Sequence, residues 1–254
     1  MKRTLDVVGS ALLLVALSPF APLIAAILAF SGDREILYGQ TRVGRHRRDF
    51  RMLKFVTMRN SGREAGGGKL TLPGDPRVLP FGRFLRKTKL NELPQLVNVI
   101  AGHMSLVGPR PQPPEIFAYY TEEDQQLVAS VRPGMTGVGS VVFRDEERML
   151  QESPLSPAEC HRDVFAPRKA QLETWYVEHQ SLALDLKLLL LTAIAIVAPN
   201  SRTYDAGIAS LGLPTWASEP RREAFAAASA IAVATSGRPG IPRSRDAGTP
   251  APGT

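Results

Sequence analysis

Cysteine is nearly missing from this chain of 254 residues, and Cys160 is the only one. An intramolecular disulfide is therefore excluded, as is a Cys-rich structural zinc site, and the chain reads as cytosolic or cytosol-facing. Aromatic residues are sparse at 7%, and no aromatic-basic module for nucleic acid stands out. Acidic residues are the minority charge, 24 Asp and Glu against 31 Lys and Arg, for a net charge of +7. That imbalance points to an anionic partner: nucleic acid, an acidic membrane surface or a phosphorylated substrate. With 44% apolar and 22% charged residues, the chain is neither a polytopic membrane protein nor wholly disordered.

Charge is absent altogether from Val7 to Phe30. As a straight helix this run would be about 36 Å long, enough for a hydrocarbon core of about 30 Å. Ser18-Pro19 sits at its centre and Pro22 follows within a turn, so a kink or break is expected there. Lys2 and Arg3 precede the run, while Arg34, Arg42, Arg45, Arg47 and Arg48 follow it. Basic flanks on both sides favour two cytoplasmic ends. A re-entrant hairpin bent at Ser18-Pro19 fits best. A spanning helix and a cleaved signal peptide are the alternatives, the latter disfavoured by length, prolines and Asp6.

Residues 33–200 follow as one folded unit. Leu37-Tyr38 and Phe50–Val56 read as short strands, and Gly62–Gly68 as a flexible loop. From 75 onward the pattern is mostly helical, with Leu90, Leu93, Leu96, Val97 and Ile100 at helical spacing. Leu188–Ala198 is too short to span a membrane and reads as a buried or interfacial helix. Ala, Pro, Gly, Ser and Thr supply 35 of the last 54 residues, so 201–254 is expected to be a disordered tail. Its one exception is a short Ala-rich helix at Arg221–Val233. The expected class is mostly α with a few short strands, preceded by the re-entrant segment 1–32.

The chemistry concentrates between Asp75 and Pro111. Arg77, Arg83, Arg86, Lys87 and Lys89 put five cations within 13 residues, and Arg110 lies between two prolines that restrict its backbone. Converging arginines grip phosphate oxygens bidentately. A helix starting near Asn91, with Pro94 in its first turn, would add free amides. Glu92 is the single carboxylate amid these cations and a candidate ligand for Mg²⁺. A solvated basic face with Asn91 as a plain N-cap is the blander reading.

The order of motifs resembles that of the bacterial sugar transferase family, the monotopic polyprenyl-phosphate sugar-1-phosphate transferases. The resemblance runs from about Lys2 to Pro199. It rests on Lys2-Arg3-x-x-Asp6, Ser18-Pro19, Gly39-Gln40 with Arg42-Val43-Gly44, Lys54-Phe55 and Thr57-Met58-Arg59. Asp75-Pro76-Arg77, Gly82–Thr88, Glu92-Leu93-Pro94-Gln95, Met104–Pro111 and Arg132-Pro133-Gly134-x-Thr136-Gly137 complete it. It implies a small cytosolic phosphoglycosyl transferase domain with interfacial amphipathic helices at the cytoplasmic face of the inner membrane. The implied reaction moves a sugar-1-phosphate from a nucleotide diphosphate sugar, with a UDP-sugar the expected donor, to polyprenyl phosphate with Mg²⁺, starting an exopolysaccharide or glycan. Glu92 then carries the metal and acid-site role, and Arg86, Arg110, Arg77 and Lys54 contact substrate phosphate. A nucleic-acid partner is not implied, and a second copy of the chain is left open.

The chain departs from that pattern in three places. Asn91 stands where the family has the Asp that attacks the sugar-bearing phosphate, and a neutral amide cannot do this. Either Glu92 attacks instead, or polyprenyl phosphate attacks in line without a covalent intermediate, or the chain is a catalytically silent scaffold. His103 replaces an acidic residue and reads as a solvated loop histidine, and Val56 replaces an arginine. Phe143–Arg148 is charge-dense, and by the resemblance it lies near the donor sugar. It reads equally as a solvated helix face. Trp175-Tyr176 reads as a membrane-interface anchor or as core.

Overall fold

Ser18 and Pro19 break the N-terminal apolar run into two helices, α1 (Lys2–Leu17) and α2 (Phe20–Ala29), bent by 64°. This is seen in the computed structural model, which describes residues 1–31, 34–59, 74–198 and 201–236. At the break the Ser18 hydroxyl donates to the Val15 carbonyl at 2.8 Å, a local bond that competes with helix continuation. The α1 helix is inside out for a protein in water. Asp6 and Ser10 are buried, whereas Val8, Leu12, Leu13 and Val15 are exposed. Among the described residues no single helix is long and apolar enough to cross a membrane, and α1 with α2 qualifies only as a bent pair.

The polar side of α1 docks on the rest of the chain. Asp6 accepts from the Ser105 hydroxyl at 2.8 Å and from the Leu106 amide at 2.9 Å. The Arg3 guanidinium donates to the Val99 and Ile100 carbonyls at 2.7 and 2.9 Å. Those carbonyls end a short helix, and Arg3 adds a donor there, although the Val99 carbonyl also accepts the Gly102 amide at 3.0 Å.

Two β-strands, β1 (Leu37–Val43) and β2 (Asp49–Phe55), form an antiparallel hairpin pairing Leu37 with Phe55 and Val43 with Asp49. Both expected strands are therefore present, the first longer than Leu37-Tyr38 and the second shifted by one residue from Phe50–Val56. Gly39, Gln40 and Arg42 hide β1, which has no buried residue and so no buried apolar alternation to mark it. Next come α3 (Pro80–Lys87), a 3₁₀ turn at Leu90–Glu92 and α4 (Gln95–Ile100). The helix expected to begin near Asn91 thus starts after Pro94, and Lys89 enters the turn with a left-handed φ of 59°.

The short strands β3 (Ser105–Val107) and β4 (Gly134–Thr136) pair in parallel. Around them pack α5 (Pro114–Phe117), α6 (Glu122–Val128), α7 (Val138–Val142), α8 (Glu146–Glu152) and α9 (Pro157–Cys160). A π-helical turn, His161–Phe165, leads into α10 (Ala166–His179), and α11 (Leu182–Val197) follows. The core is built from Leu96, Val99, Met104, Val107, Val138, Phe165, Leu172, Tyr176 and Leu188. Leu186, Leu190 and Val197 on α11 and Phe84 on α3 stay exposed.

The expectation of a disordered tail from 201 does not hold for the described part of it. Helices α12 (Arg202–Ala209) and α13 (Pro220–Ser236) form, and Tyr204, Leu211, Ala217, Ala224 and Ala228 bury against the main core. Alanine is the strongest helix former, and its small side chain lets α13 approach closely. Composition alone undercounts both effects. The Ala-rich helix is longer than the expected Arg221–Val233. Residues 237–254, the Gly62–Gly68 loop and the expected boundaries at 32–33 and 200 lie outside the described residues.

Candidate active site

Strand periodicity assembles one wall of the site. Side chains two apart share a face, and the hairpin register pairs Tyr38 with Lys54, Gln40 with Met52 and Arg42 with Phe50. Arg42 and Lys54 therefore stand on the same face of the hairpin. That face meets the Leu90–Glu92 turn and the Gly108–Pro111 turn, forming a small open-sided cleft. Arg42, Met52, Lys54, Glu92, Gln95, Arg110 and Gly134 are among its lining residues.

Glu92 Oε1 lies 3.4 Å from Lys54 Nζ and 3.8 Å from Arg110 Nη2. Arg42 donates to the Pro111 carbonyl at 3.1 Å and to Gln40 Oε1 at 2.6 Å, tying the hairpin to Arg110's own turn. The backbone amide of Arg110 donates to Glu173 Oε1 at 3.2 Å, and its Nη1 reaches Ser140 Oγ at 3.4 Å.

Burial alone would raise the Glu92 carboxyl, but Lys54, then Arg110 and Lys89, outweigh it and hold the group at about 2. It is thus a fixed anion, unsuited to donate a proton at neutral pH. Burial, only partly offset by Glu92 and reinforced by Arg110 and Arg42, lowers the Lys54 ammonium to about 8. Burial and Arg110 bring Arg42 down to about 10. Burial is the main cause of both shifts, and an incoming anion would oppose it by favouring the charged forms.

Of the residues expected at the site, the structure brings Lys54, Glu92 and Arg110 together. Asn91 adjoins Glu92 on the 3₁₀ turn but is buried and is not among the cleft-lining residues, and its Oδ1 meets no hydrogen-bond partner. Arg77 and Arg86 do not line the cleft. Arg77 grips Asp75 with both Nε and Nη2, at 2.9 and 2.6 Å, and Arg86 pairs with Glu147 of α8. The Arg77 pairing holds the Asp75 carboxyl below the usual range, with a smaller pull from Arg86. These four residues form a second charged group. Of the charge-dense segment, Glu146 bonds Lys169 at 2.6 Å and Glu147 reaches Arg86, so its carboxylates contact other elements as well as solvent.

Ser18 and Pro19 fall at the α1–α2 break. His103 is exposed and stacks on Phe50 at 6.0 Å. Tyr176 is core, donating to Asp185 Oδ1 at 2.6 Å, while Trp175 stacks on His179. Two site residues escaped the candidate set. Arg42 lies within the Arg42-Val43-Gly44 motif, and its register opposite Phe50 is what puts it on the Lys54 face. Glu173 had no signal, being one carboxylate in a helical stretch.

The donor set fits a magnesium ion that relies on substrate oxygens. Glu92 supplies one charged hard oxygen ligand, whereas the Asn91 Oδ1, although buried without a partner, does not line the cleft. Mg²⁺ takes one or two carboxylates and completes its shell with phosphate and water. Among the described residues no group of three or more His, Cys, Asp or Glu side chains forms an all-protein cage.

A sequence model of the bacterial sugar transferase family matches residues 1–199. The chain is 34% identical over 209 residues to the exopolysaccharide production protein ExoY of Sinorhizobium fredii, an alignment covering 77% of this chain and 84% of that relative. It is 34% identical over 219 residues to the UDP-galactose-lipid carrier transferase of Erwinia amylovora, covering 80% of this chain and 42% of the relative. Against the undecaprenyl-phosphate glucose phosphotransferase of Komagataeibacter xylinus the identity is 34% over 196 residues, covering 75% and 35% respectively. The chain therefore spans less than half the length of the latter two.

Proposed function

The chain belongs to the bacterial sugar transferase family, and from that premise we propose that it moves a sugar-1-phosphate from a nucleotide diphosphate sugar to polyprenyl phosphate. The donor in this reading is a UDP-sugar, the product begins an exopolysaccharide, and the reaction runs at the cytoplasmic face of the inner membrane. The observation that carries the reading is the excess of cations over the lone Glu92 carboxylate in the Arg42–Lys54–Arg110 cleft. Names given to relatives as phosphotransferases and carrier-lipid transferases support it.

With Asn91 in place of a nucleophile, the chemistry that fits is direct. An oxygen of polyprenyl phosphate forms a bond to the sugar-bearing phosphorus, and the bond from that phosphorus to the nucleoside monophosphate breaks. The attacking phosphate is already anionic, so the step needs no protein base. Its charge spreads over the equatorial oxygens of the transferred group. Lys54, Arg110 and Arg42 are positioned to balance that charge, and electrostatic preorganisation of this kind is commonly the largest catalytic contribution. Glu92 would hold Mg²⁺, which when bound supplies Lewis-acid stabilisation of the diphosphate.

The α1–α2 pair enters the membrane as a re-entrant hairpin in this reading. Its exposed Val8, Leu12, Leu13, Val15, Phe20 and Leu23 face lipid, while the Asp6 side faces protein. Purified protein incubated with Mg²⁺, polyprenyl phosphate and a panel of UDP-sugars tests the whole reading. Release of UMP with at least one donor, reduced at least tenfold by Arg110→Ala, is the expected result. No release from any donor by the native chain, with release by Asn91→Asp, overturns the direct route.

A further inference from the structure

Glu173 of α10 is 1% exposed, yet the phosphoryl chemistry leaves it without a role. Its Oε1 accepts the Arg110 backbone amide at 3.2 Å, and its Oε2 is buried without a partner. A buried carboxylate ordinarily demands a full set of donors, so this one carries an uncompensated cost. The surrounding backbone is cut to receive it. A Cβ on Gly139 would collide with Glu173 Oε1, and one on Gly137 would collide with the Gly108 carbonyl that opens the Arg110 turn. Gln112 Nε2 and the Tyr120 hydroxyl are two further buried polar atoms here, and they interact with each other. Gln112 lies two residues beyond Arg110. Burial lifts the Glu173 carboxyl to about 7, against the pull of the Arg110 amide and the Lys169 charge.

We infer that Glu173 is a positioning residue for the cleft: by holding the Arg110 amide it fixes the Gly108–Pro111 turn, and through that turn it aims the Arg110 guanidinium at the substrate diphosphate. The inference rests on the phosphate-binding reading of the cleft. Among the described residues, the Arg110 side chain is otherwise tethered by a long 3.4 Å contact to Ser140 and a 3.8 Å ion pair to Glu92. Its backbone is therefore the part that sets its aim. Small misplacements of a charge-stabilising group cost up to a hundredfold in rate.

The test is a double-mutant cycle on the full chain in detergent or nanodiscs, with UMP release read as separate kcat and KM values. Glu173→Ala is expected to raise the donor KM about tenfold. Glu173→Gln, which keeps the acceptor oxygen for the Arg110 amide, is expected to stay within about twofold of the native value. In an Arg110→Ala background, Glu173→Ala is expected to add nothing further. Equal losses from Glu173→Ala in both backgrounds overturn the inference, because the residue would then act independently of Arg110. If Arg110→Ala itself leaves donor KM and kcat unchanged, the phosphate-cleft reading fails instead. Should Glu173→Ala not fold, Gly139→Ala pushes on the same carboxylate and takes its place. A donor KM unchanged in folded Gly139→Ala also overturns the inference.

Discussion

The Lys2 ammonium of the first helix pairs with the Asp185 carboxylate of α11, 183 positions along the chain, and also donates to the Tyr176 hydroxyl at 3.0 Å. Tyr176 in turn donates to the other Asp185 oxygen at 2.6 Å. The bond network fastens the start of the bent N-terminal helix pair to the centre of the core. Lys2→Met would leave a carboxylate that is 2% exposed with one neutral partner. Removing one member of a fully buried pair costs 3–5 kcal/mol, but Lys2 is 36% exposed, so water compensates part of it. The expected loss is about 2 kcal/mol, read as a lowered midpoint of thermal unfolding in detergent. An unchanged midpoint would show that the pair contributes nothing.

The Lys54 ammonium gives a pH dependence with two opposite signs. Its affinity for protons is depressed from 10.5 to about 8, so its charge is lost as pH rises through 8. Donor KM is expected to climb above that pH, and Lys54→Arg, whose guanidinium stays charged, should flatten the rise. The same shift makes this residue's own contribution to folding stability increase from pH 8 to 10.5, because the unfolded chain there binds more protons than the folded one. A KM profile flat to pH 9.5 would contradict the assignment.

Asn91 predicts a kinetic order. Without a protein nucleophile the native chain is expected to release UMP only when polyprenyl phosphate is present, with both substrates bound together. Donor alone should give neither a burst nor a labelled protein. Asn91→Asp is expected to gain donor-only release and acid-stable, hydroxylamine-sensitive labelling. Labelling of the native chain at Glu92, found by peptide mapping, would replace the direct route with a covalent one.

The C-terminal helices predict a stability effect beyond the segment that the family model matches. The Tyr204 hydroxyl donates to the Val141 carbonyl at 2.6 Å, and the Arg144 guanidinium lies 4.3 Å from the Tyr204 ring centroid. Tyr204→Phe keeps the ring and strands a buried carbonyl. The expected cost is about 1–2 kcal/mol, measured by denaturant titration.

How far the sequence carried depended on whether a residue's role was local. Ser18-Pro19 acts on its own backbone, and the break is where the prolines put it. Glu92 and Arg110 were legible because charge clustering and proline-locked turns are short-range signals. Arg77 and Arg86 lay in the same basic run, yet Asp75 and Glu147 claim them, a choice made by α3 and α8 meeting in space. Glu173 was invisible for the converse reason, since nothing around it in sequence distinguishes it from a solvated helical glutamate. The tail misled because Ala224 and Ala228 count as low-complexity by composition, while in the fold they are the small contacts that seat α13.

Cys160 lies at 1% exposure, and burial pushes its thiol above the ordinary range. Thiol reagents act through the thiolate, so the folded chain offers them almost nothing. This makes the native sequence a silent background for site-directed labelling. A single cysteine placed at Ser18, or at any exposed apolar position of α1, becomes the one fast-reacting site in the molecule. A polarity-sensitive fluorophore attached there reports lipid or water around the helix break directly.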